Sequence, residues 1–244
     1  MDFNTFSALF SEIFQKNKLE RFCKTEIIQK FYSFTLLLLE ENSHTNLTAI
    51  RELPDIIAKH YADCLLAEQH YPQNATVMDI GCGGGFPTIP LAIARPDLKI
   101  TAVDSTAKKI AFVQKAIESL QLKNTVALCN RAESEEMRKF RESFDIVTSR
   151  AMARMGILAE LALPLVKPTG KLIALNGAQG KTELAEAEKA ILSLGGSKQS
   201  EDVFLHLVTE NSQEDRHILI ITKSTPSPKQ YPRNYSTITK KPLV

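Results

Sequence analysis

Hydrophobic positions near the start of the chain recur at helical spacing. Phe6, Leu9, Phe10, Ile13 and Phe14 form one stripe; Ile27, Ile28, Phe31, Phe34, Thr35 and Leu38 form a second, within residues 25–41. Pro54 suits the first turn of a third helix reaching to about residue 69. The polar run Asn42-Ser-His-Thr-Asn46-Leu-Thr between them reads as a turn. From residue 76 the pattern changes. Short β-rich runs at 76–80, 100–104, 125–129, 144–148 and 171–175 alternate with helical segments, the clearest being 107–120, where Ile110, Val113, Ile117 and Leu120 share a face. Such alternation predicts a parallel sheet covered on both faces. After a helix near 182–194, Gly195-Gly196 breaks the chain. Runs at 202–208 and 217–222 follow with only a polar loop of about eight residues between them, which predicts an antiparallel edge pair. Three parts are expected: a helical extension (1–72) packed on the core, an α/β domain (73–223) with a mostly parallel seven-stranded sheet, and a basic tail (224–244).

Composition narrows the class. The chain has 244 residues, 43% hydrophobic and 24% charged, as for a soluble globular protein. Its longest apolar stretch, near residues 34–39, is too short to span a membrane, and the N-terminus carries no signal-peptide core. Cys23, Cys64, Cys82 and Cys129 are scattered without a C-x-x-C pair, so neither a disulfide framework nor a metal site is expected, and a reducing cytoplasm suits them. Net charge is only +2, but Lys223, Lys229, Arg233, Lys240 and Lys241 sit in a terminal stretch with no acidic residue. That stretch suits phosphate contacts; a solvated terminus is the plainer alternative.

The chemistry concentrates in Val77-Met-Asp-Ile-Gly-Cys-Gly-Gly-Gly-Phe86. An apolar run ends in Asp79, a glycine burst follows, and an apolar segment from Ile89 comes next: strand, tight loop, helix. The dinucleotide pattern G-x-G-x-x-G fails from Gly81, because Phe86 holds its third position, and from Gly83, because Thr88 does. D-x-G-x-G-x-G does fit, with Asp79, Gly81, Gly83 and Gly85, and resembles the first motif of Rossmann-like S-adenosylmethionine-dependent methyltransferases. That cofactor has no pyrophosphate; its ribose and amino-acid end profit from backbone and carboxylate contacts. Asp104, ending the second strand, is placed to take ribose hydroxyls, or to cap the next helix, or both. Ligands of such sheets lie outside the strands' carboxyl ends. Ala132 and Glu133 after the third strand are therefore candidates for adenine, and Arg150 after the fourth for the reacting substrate. Their plainer roles are helix-terminal charge and a surface ion pair. The Pro-Pro-aromatic motif of exocyclic-amine methylation is missing after the fourth strand, and no Pro-Cys nucleophile occurs.

The full set of motifs resembles the RsmG family, also called glucose-inhibited division protein B. It comprises Asn46-Leu-Thr48, His60-Tyr-Ala-Asp63, Asp79 to Pro87, Ile89-Pro-Leu91, Arg95-Pro96, Asp104-Ser105 with Lys108-Lys109, and Arg131-Ala-Glu133. Ser149-Arg-Ala151, Ala174-Leu-x-Gly177, Tyr231-Pro-Arg233 and Lys241-Pro-Leu243 complete it. The resemblance implies a class I methyltransferase fold and transfer of a methyl group to a guanine N7 of 16S ribosomal RNA in the small ribosomal subunit; separately from it, a monomer without metal is expected. It implies cofactor contacts from Asp79, Gly81, Gly83, Gly85, Phe86, Asp104, Ala132, Glu133 and Arg150, with Arg150 also catalytic. RNA contacts fall to Lys108, Lys109, Arg131, Arg233, Lys240 and Lys241. Three positions depart from the family: Thr88 replaces a usual glycine, Asn176 a common lysine, and Asn234-Tyr-Ser-Thr-Ile-Thr a Gly-Thr-Pro stretch. Guanine N7 carries a free lone pair, so placement rather than a general base should supply the rate. His60 and Asp63, which share a helix face, read equally well as an orienting pair. Two other classes fit the residues: a methyltransferase of small molecules or proteins, and a non-catalytic RNA-binding protein with a vestigial pocket.

Overall fold

The computed structural model describes residues 2–243; Met1 and Val244, the outer ends of the expected first and last parts, lie outside the described residues. Helix α1 (Phe3–Lys16) starts at Asp2, whose carboxylate accepts the Thr5 N–H at 3.0 Å. Its buried face is Phe6, Phe10, Ile13 and Phe14, as the stripe predicts. Helix α2 spans Thr25–Thr45, longer than the hydrophobic pattern implies. The polar run does not end it at residue 42, because the buried Asn42 satisfies both its amide groups on Thr48 (Nδ2 to the carbonyl, Oδ1 from the N–H, 2.9 Å each). Asn46 then turns the chain in the left-handed region, at φ 48°.

The expected third helix is irregular: α3 (Leu53–Asp55) passes into a π-helical segment (Ile56–Ala62) and on to α4 (Asp63–Leu65). Its rings link the extension to the core. Phe31 and Tyr61 have centroids 4.9 Å apart, and Phe34 lies 5.7 Å from Phe86, beyond the glycine burst. One continuous apolar cluster runs from Phe6 through Phe31 to Val77, Ile173 and Ile220 of the sheet. This fused burial holds the extension against the core.

The seven-stranded sheet has the order β3-β2-β1-β4-β5-β7-β6. Strands β1 (Thr76–Ile80), β2 (Lys99–Asp104), β3 (Thr125–Cys129), β4 (Phe144–Arg150) and β5 (Val166–Asn176) are parallel. Strands β6 (Gly196–Val208) and β7 (Gln213–Lys223) form the antiparallel edge pair, β7 lying against β5. The pair is longer than its apolar residues suggest. Its polar flanks, Ser200↔Ile221 to Val208↔Gln213, still pair through backbone, and the connection shrinks to residues 209–212. Helices α5 (Thr88–Ala94), α6 (Ala107–Ser119) and α7 (Met155–Ala162) follow β1, β2 and β4. The expected helix at 182–194 is two short ones, α8 (Gly180–Glu186) and α9 (Glu188–Ser193). Successive strands depart from opposite sides of β1, so a topological switch lies at the β1/β4 ends, where ligands of open α/β sheets bind.

The described part of the tail, residues 224–243, packs back on the core. Arg141 donates to the carbonyls of Ser227, Pro228 and Tyr231, and Arg233 pairs with the fully buried Glu160. Helix α10 (Tyr235–Lys240), capped by Asn234, buries Ile238. Among the described residues no helix is long and apolar enough to cross a membrane, and no group of three or more His, Cys, Asp or Glu side chains is arranged to hold a metal.

Candidate active site

A cavity of about 400 Å³ opens at the carboxyl ends of β1 to β4. Gly81 and Asp104 form part of its wall, with Lys109, the segment 130–133, Ala151, Met152 and Tyr235. Gly81 sits at φ +73°, and a Cβ there would lie 2.8 Å from Met152 Cγ, so glycine lets loop and methionine meet without either shifting. Asp104 is held from two directions: Oδ2 accepts the Gly83 N–H at 3.0 Å and Oδ1 the Thr106 N–H at 2.8 Å. It organises the glycine loop and the turn before α6 together, so ribose acceptor and capping carboxylate are compatible roles. Each carboxylate oxygen keeps a further lone pair for a ligand hydroxyl. Glu133 lies 3.5 Å from Arg131 across the far wall.

Several expected contacts lie behind this surface. Asp79 is fully buried; its Oδ2 accepts the Thr88 hydroxyl at 2.6 Å and N–H at 3.2 Å. Thr88, the departure from glycine, thus ties the start of α5 to the end of β1. Asp79 Oδ1 has no hydrogen-bond partner, and burial pushes the carboxyl up to about 7 against those two bonds. Gly83 and Gly85 are outside the cavity wall. Gly83 serves through its N–H to Asp104, while Gly85, at φ +90°, lets the chain pass Ile89. These residues shape the pocket from beneath.

Phe86 and Arg150 stand further back, and neither lines the cavity. The Phe86 ring stacks on His60, centroids 4.3 Å apart, and the Arg150 guanidinium lies over the same ring at 5.5 Å. Arg150 Nη1 donates to Asp63 Oδ2 and to the Lys59 carbonyl, both at 2.9 Å, and Nη2 contacts His60 Nδ1 at 3.0 Å. The physical reason is the buried Asp63 carboxylate, which attracts the guanidinium away from the strand ends; its other oxygen accepts from Arg216 Nε at 2.6 Å. The orienting reading of His60 and Asp63 matches this geometry. Arg150 donates to His60 Nδ1, so the imidazole is neutral and its Nε2–H faces the Thr48 hydroxyl at 2.8 Å. Burial first, then the Arg150 charge, lowers its pKa to about 3.

The basic candidates divide. Lys109 and Arg131 line the cavity, and Lys108 is exposed beside them. Lys240 and Lys241 are exposed on and just after α10. Arg233 is committed to Glu160, and Lys223, counted with the tail from sequence, is buried and donates to Glu142 and the carbonyls of Leu163 and Val166. Both basic groups neutralise internal acceptors, so the exposed charge of the tail is smaller than its sequence implies. Two wall residues escaped the sequence reading. Met152 follows Ala151, which takes a left-handed φ of 51°, and Tyr235 is brought in by the folded tail. Neither carries a motif; only the chain path places them there.

A family model described as rRNA small subunit methyltransferase G (GidB) matches residues 27–219. The chain is similar to ribosomal RNA small subunit methyltransferase G of Oceanobacillus iheyensis, 43% identical over 218 residues, 88% of this chain and 90% of the relative. The protein of that name from Bacillus subtilis is 41% identical over 219 residues, again 88% and 90%. Among solved structures, TYW2 of M. jannaschii in complex with AdoMet superposes with a TM-score of 0.51 at 11% identity, over 67% of this chain and 77% of that one. YcgJ of Bacillus subtilis gives 0.50 at 13%, over 68% and 100%. At such identities the structures share the fold alone.

Proposed function

The chain belongs to the family of rRNA small subunit methyltransferase G, and from that premise we propose that it transfers a methyl group from S-adenosylmethionine to N7 of a guanine in small-subunit (16S) ribosomal RNA. The observation that carries this reading is the shape of the wall: bare glycine backbone at Gly81, a pre-positioned Asp104 carboxylate, and Ala132–Glu133 in one 400 Å³ cavity. Such a wall suits a nucleoside with an amino-acid end. Asp104 would accept the ribose hydroxyls, Glu133 and the backbone at Ala132 would meet the adenine, and the glycine loop would pass under the amino-acid end. When bound, the cofactor supplies an electrophilic sulfonium methyl.

The protein's own task is placement. Guanine N7 attacks in line through its lone pair, so no side chain has to remove a proton, and holding base and methyl in register supplies the rate. Arg150 acts in this reading as a positioning residue: with His60 it clamps the Phe86 ring and so sets the glycine loop. Lys108, Lys109 and Arg131 would draw RNA phosphates to the rim. A-form RNA hides its major-groove edge, so the target guanine must be unpaired or splayed out. A ribosomal substrate places the reaction in the cytoplasm.

The test is methyl transfer from labelled S-adenosylmethionine to small subunits from cells lacking the enzyme, followed by nucleoside mapping. Expected is one 7-methylguanosine in the 16S RNA, with RNA binding that weakens steeply as salt rises. A methyl group on another atom, or on a protein or small molecule only, overturns the reading. Failure to bind S-adenosylmethionine in calorimetry leaves only the non-catalytic alternative.

A further inference from the structure

Beside the cofactor cavity lies a second cavity of about 270 Å³, and the two share Ala151 and Met152. Its wall adds Leu158 and Leu175, which are apolar, and two polar side chains, Asn176 and Glu183. Glu183 Oε2 is occupied: it accepts the Met155 N–H at 3.1 Å, holding the first turn of α7, and Asn176 Nδ2 at 3.3 Å. Glu183 Oε1 and Asn176 Oδ1 make no hydrogen bond among the described residues. The Asn176–Glu183 bond fixes the amide, so its carbonyl oxygen stays free as an acceptor. The cavity therefore offers two acceptors on bonded neighbours, beside the one remaining N–H of the Asn176 amide. A carboxylate there repels phosphates, so charge attraction to RNA does not explain it.

We propose that this second cavity is the subsite for the target base, with Glu183 Oε1 and Asn176 Oδ1 accepting the N1–H and 2-amino group of guanine; this rests on the ribosomal guanine-N7 reading above. The choice of base follows from donor patterns. Guanine carries two donors side by side on its Watson–Crick edge. Adenine and cytosine set one amino donor beside a ring acceptor, and uracil sets a single N–H between two carbonyls. Two acceptors on bonded neighbours match guanine's two donors, whereas each of the other bases offers one donor group on that edge and leaves one acceptor unmet. Gripped by that edge, the base keeps N7 on its opposite side, free of the protein's acceptors and open to the cavity that shares Met152.

The test uses small subunits rebuilt with RNA carrying either guanosine or inosine at the modified position. Inosine keeps N7 and N1–H but lacks the 2-amino group. The full-length wild type should prefer guanosine by about 10- to 100-fold in kcat/KM. In Glu183→Gln or Asn176→Ala, whichever acceptor faces the 2-amino group, the preference should shrink to about threefold or less, and the rate on guanosine should fall in both. Affinity for S-adenosylmethionine should stay within about twofold of wild type in both variants, which separates a base contact from a damaged fold. Equal wild-type rates on the two bases, or two variants that keep the wild-type preference, overturn the subsite and leave the ribosomal activity standing. Loss of cofactor affinity together with the preference makes Glu183 and Asn176 structural and also overturns it. No transfer to either subunit overturns subsite and activity together.

Discussion

The His60 imidazole lies flat on the Phe86 ring, centroids 4.3 Å apart and planes 15° from parallel. A residue of the N-terminal extension thereby supports the glycine loop of the α/β core, and Arg150 locks the pair by reaching His60 Nδ1, the Lys59 carbonyl and Asp63. The extension thus forms one side of the site's foundation.

Removing the lock should cost stability and activity together. Arg150→Ala leaves Asp63 with only Arg216, so the loss should fall below the roughly 3–5 kcal/mol of a fully orphaned buried charge. Arg150→Lys keeps the charge but cannot serve three acceptors from one ammonium on a flexible stem, so it should recover part of the stability and little of the cofactor affinity. Urea unfolding and calorimetry with S-adenosylmethionine check both. Wild-type cofactor affinity in Arg150→Ala would detach this cluster from the site.

Two buried groups should oppose each other in the pH dependence of stability. Asp79 is raised to about 7 from 3.8. The folded state therefore holds a proton that the unfolded state releases, and its stabilising contribution is lost as pH rises from about 4 to 7. His60 is lowered to about 3 from 6.5. Here the unfolded state takes the proton, so stability is lost as pH falls from about 6.5 to 3. In the wild type the slopes offset one another between about pH 4 and 6.5. Asp79→Asn should unmask the histidine, giving stability that rises with pH by up to about 1.4 kcal/mol per unit. His60→Gln should give a falling profile of similar size. Urea midpoints across this range measure both; unchanged profiles in the two variants would refute the assignment.

How much of this was legible in the chain depended on range. The amphipathic stripes of α1, α2 and α6 and the strand-loop-helix at Asp79–Ile89 are local patterns, so burial followed them closely. The lengths of β6 and β7 were not legible, because backbone pairing carries polar residues such as Glu201 and Asp215 into the ladder. Arg150 was found by position, but its direction depended on Asp63, 87 residues away in sequence. Arg233 looked like a free cation for the same reason: its buried partner Glu160 is 73 residues distant. Tyr235 and Met152 reach the cavity through the folded tail and a left-handed Ala151, which no spacing rule encodes.

Gly81→Ala should act mainly on the cofactor. The residue stands at φ +73°, which disfavours alanine by roughly 1–2 kcal/mol, and the new methyl group would meet Met152 Cγ at 2.8 Å. Met152 is a flexible side chain, so it can yield, but only by moving within the wall it shares with the cofactor. Affinity for S-adenosylmethionine should fall by about tenfold or more, which calorimetry reads directly. Met152→Ala in the same chain should restore part of it by relieving the clash.

The basic residues should separate into two groups by their partners. Lys108 is exposed, while Lys109 and Arg131 line the cavity mouth and keep access to solvent. Replacing any one with alanine should weaken RNA binding and lower the slope of log affinity against log salt by about 0.7–0.9 for each phosphate no longer neutralised, with little change in melting temperature. Lys240 and Lys241, equally exposed, should behave the same way if the tail meets the RNA. Arg233→Ala should do the reverse. It strips the guanidinium from the fully buried Glu160 carboxylate, removing the Nε and Nη2 contacts and leaving the backbone N–H alone, so the tail should loosen and the protein should melt earlier. The salt slope should hardly move, because that guanidinium neutralises an internal charge rather than a phosphate. Filter binding over a salt series, paired with thermal melts, distinguishes the two behaviours. A full slope change in Arg233→Ala with an unaltered melt would show that its pairing with Glu160 yields to RNA.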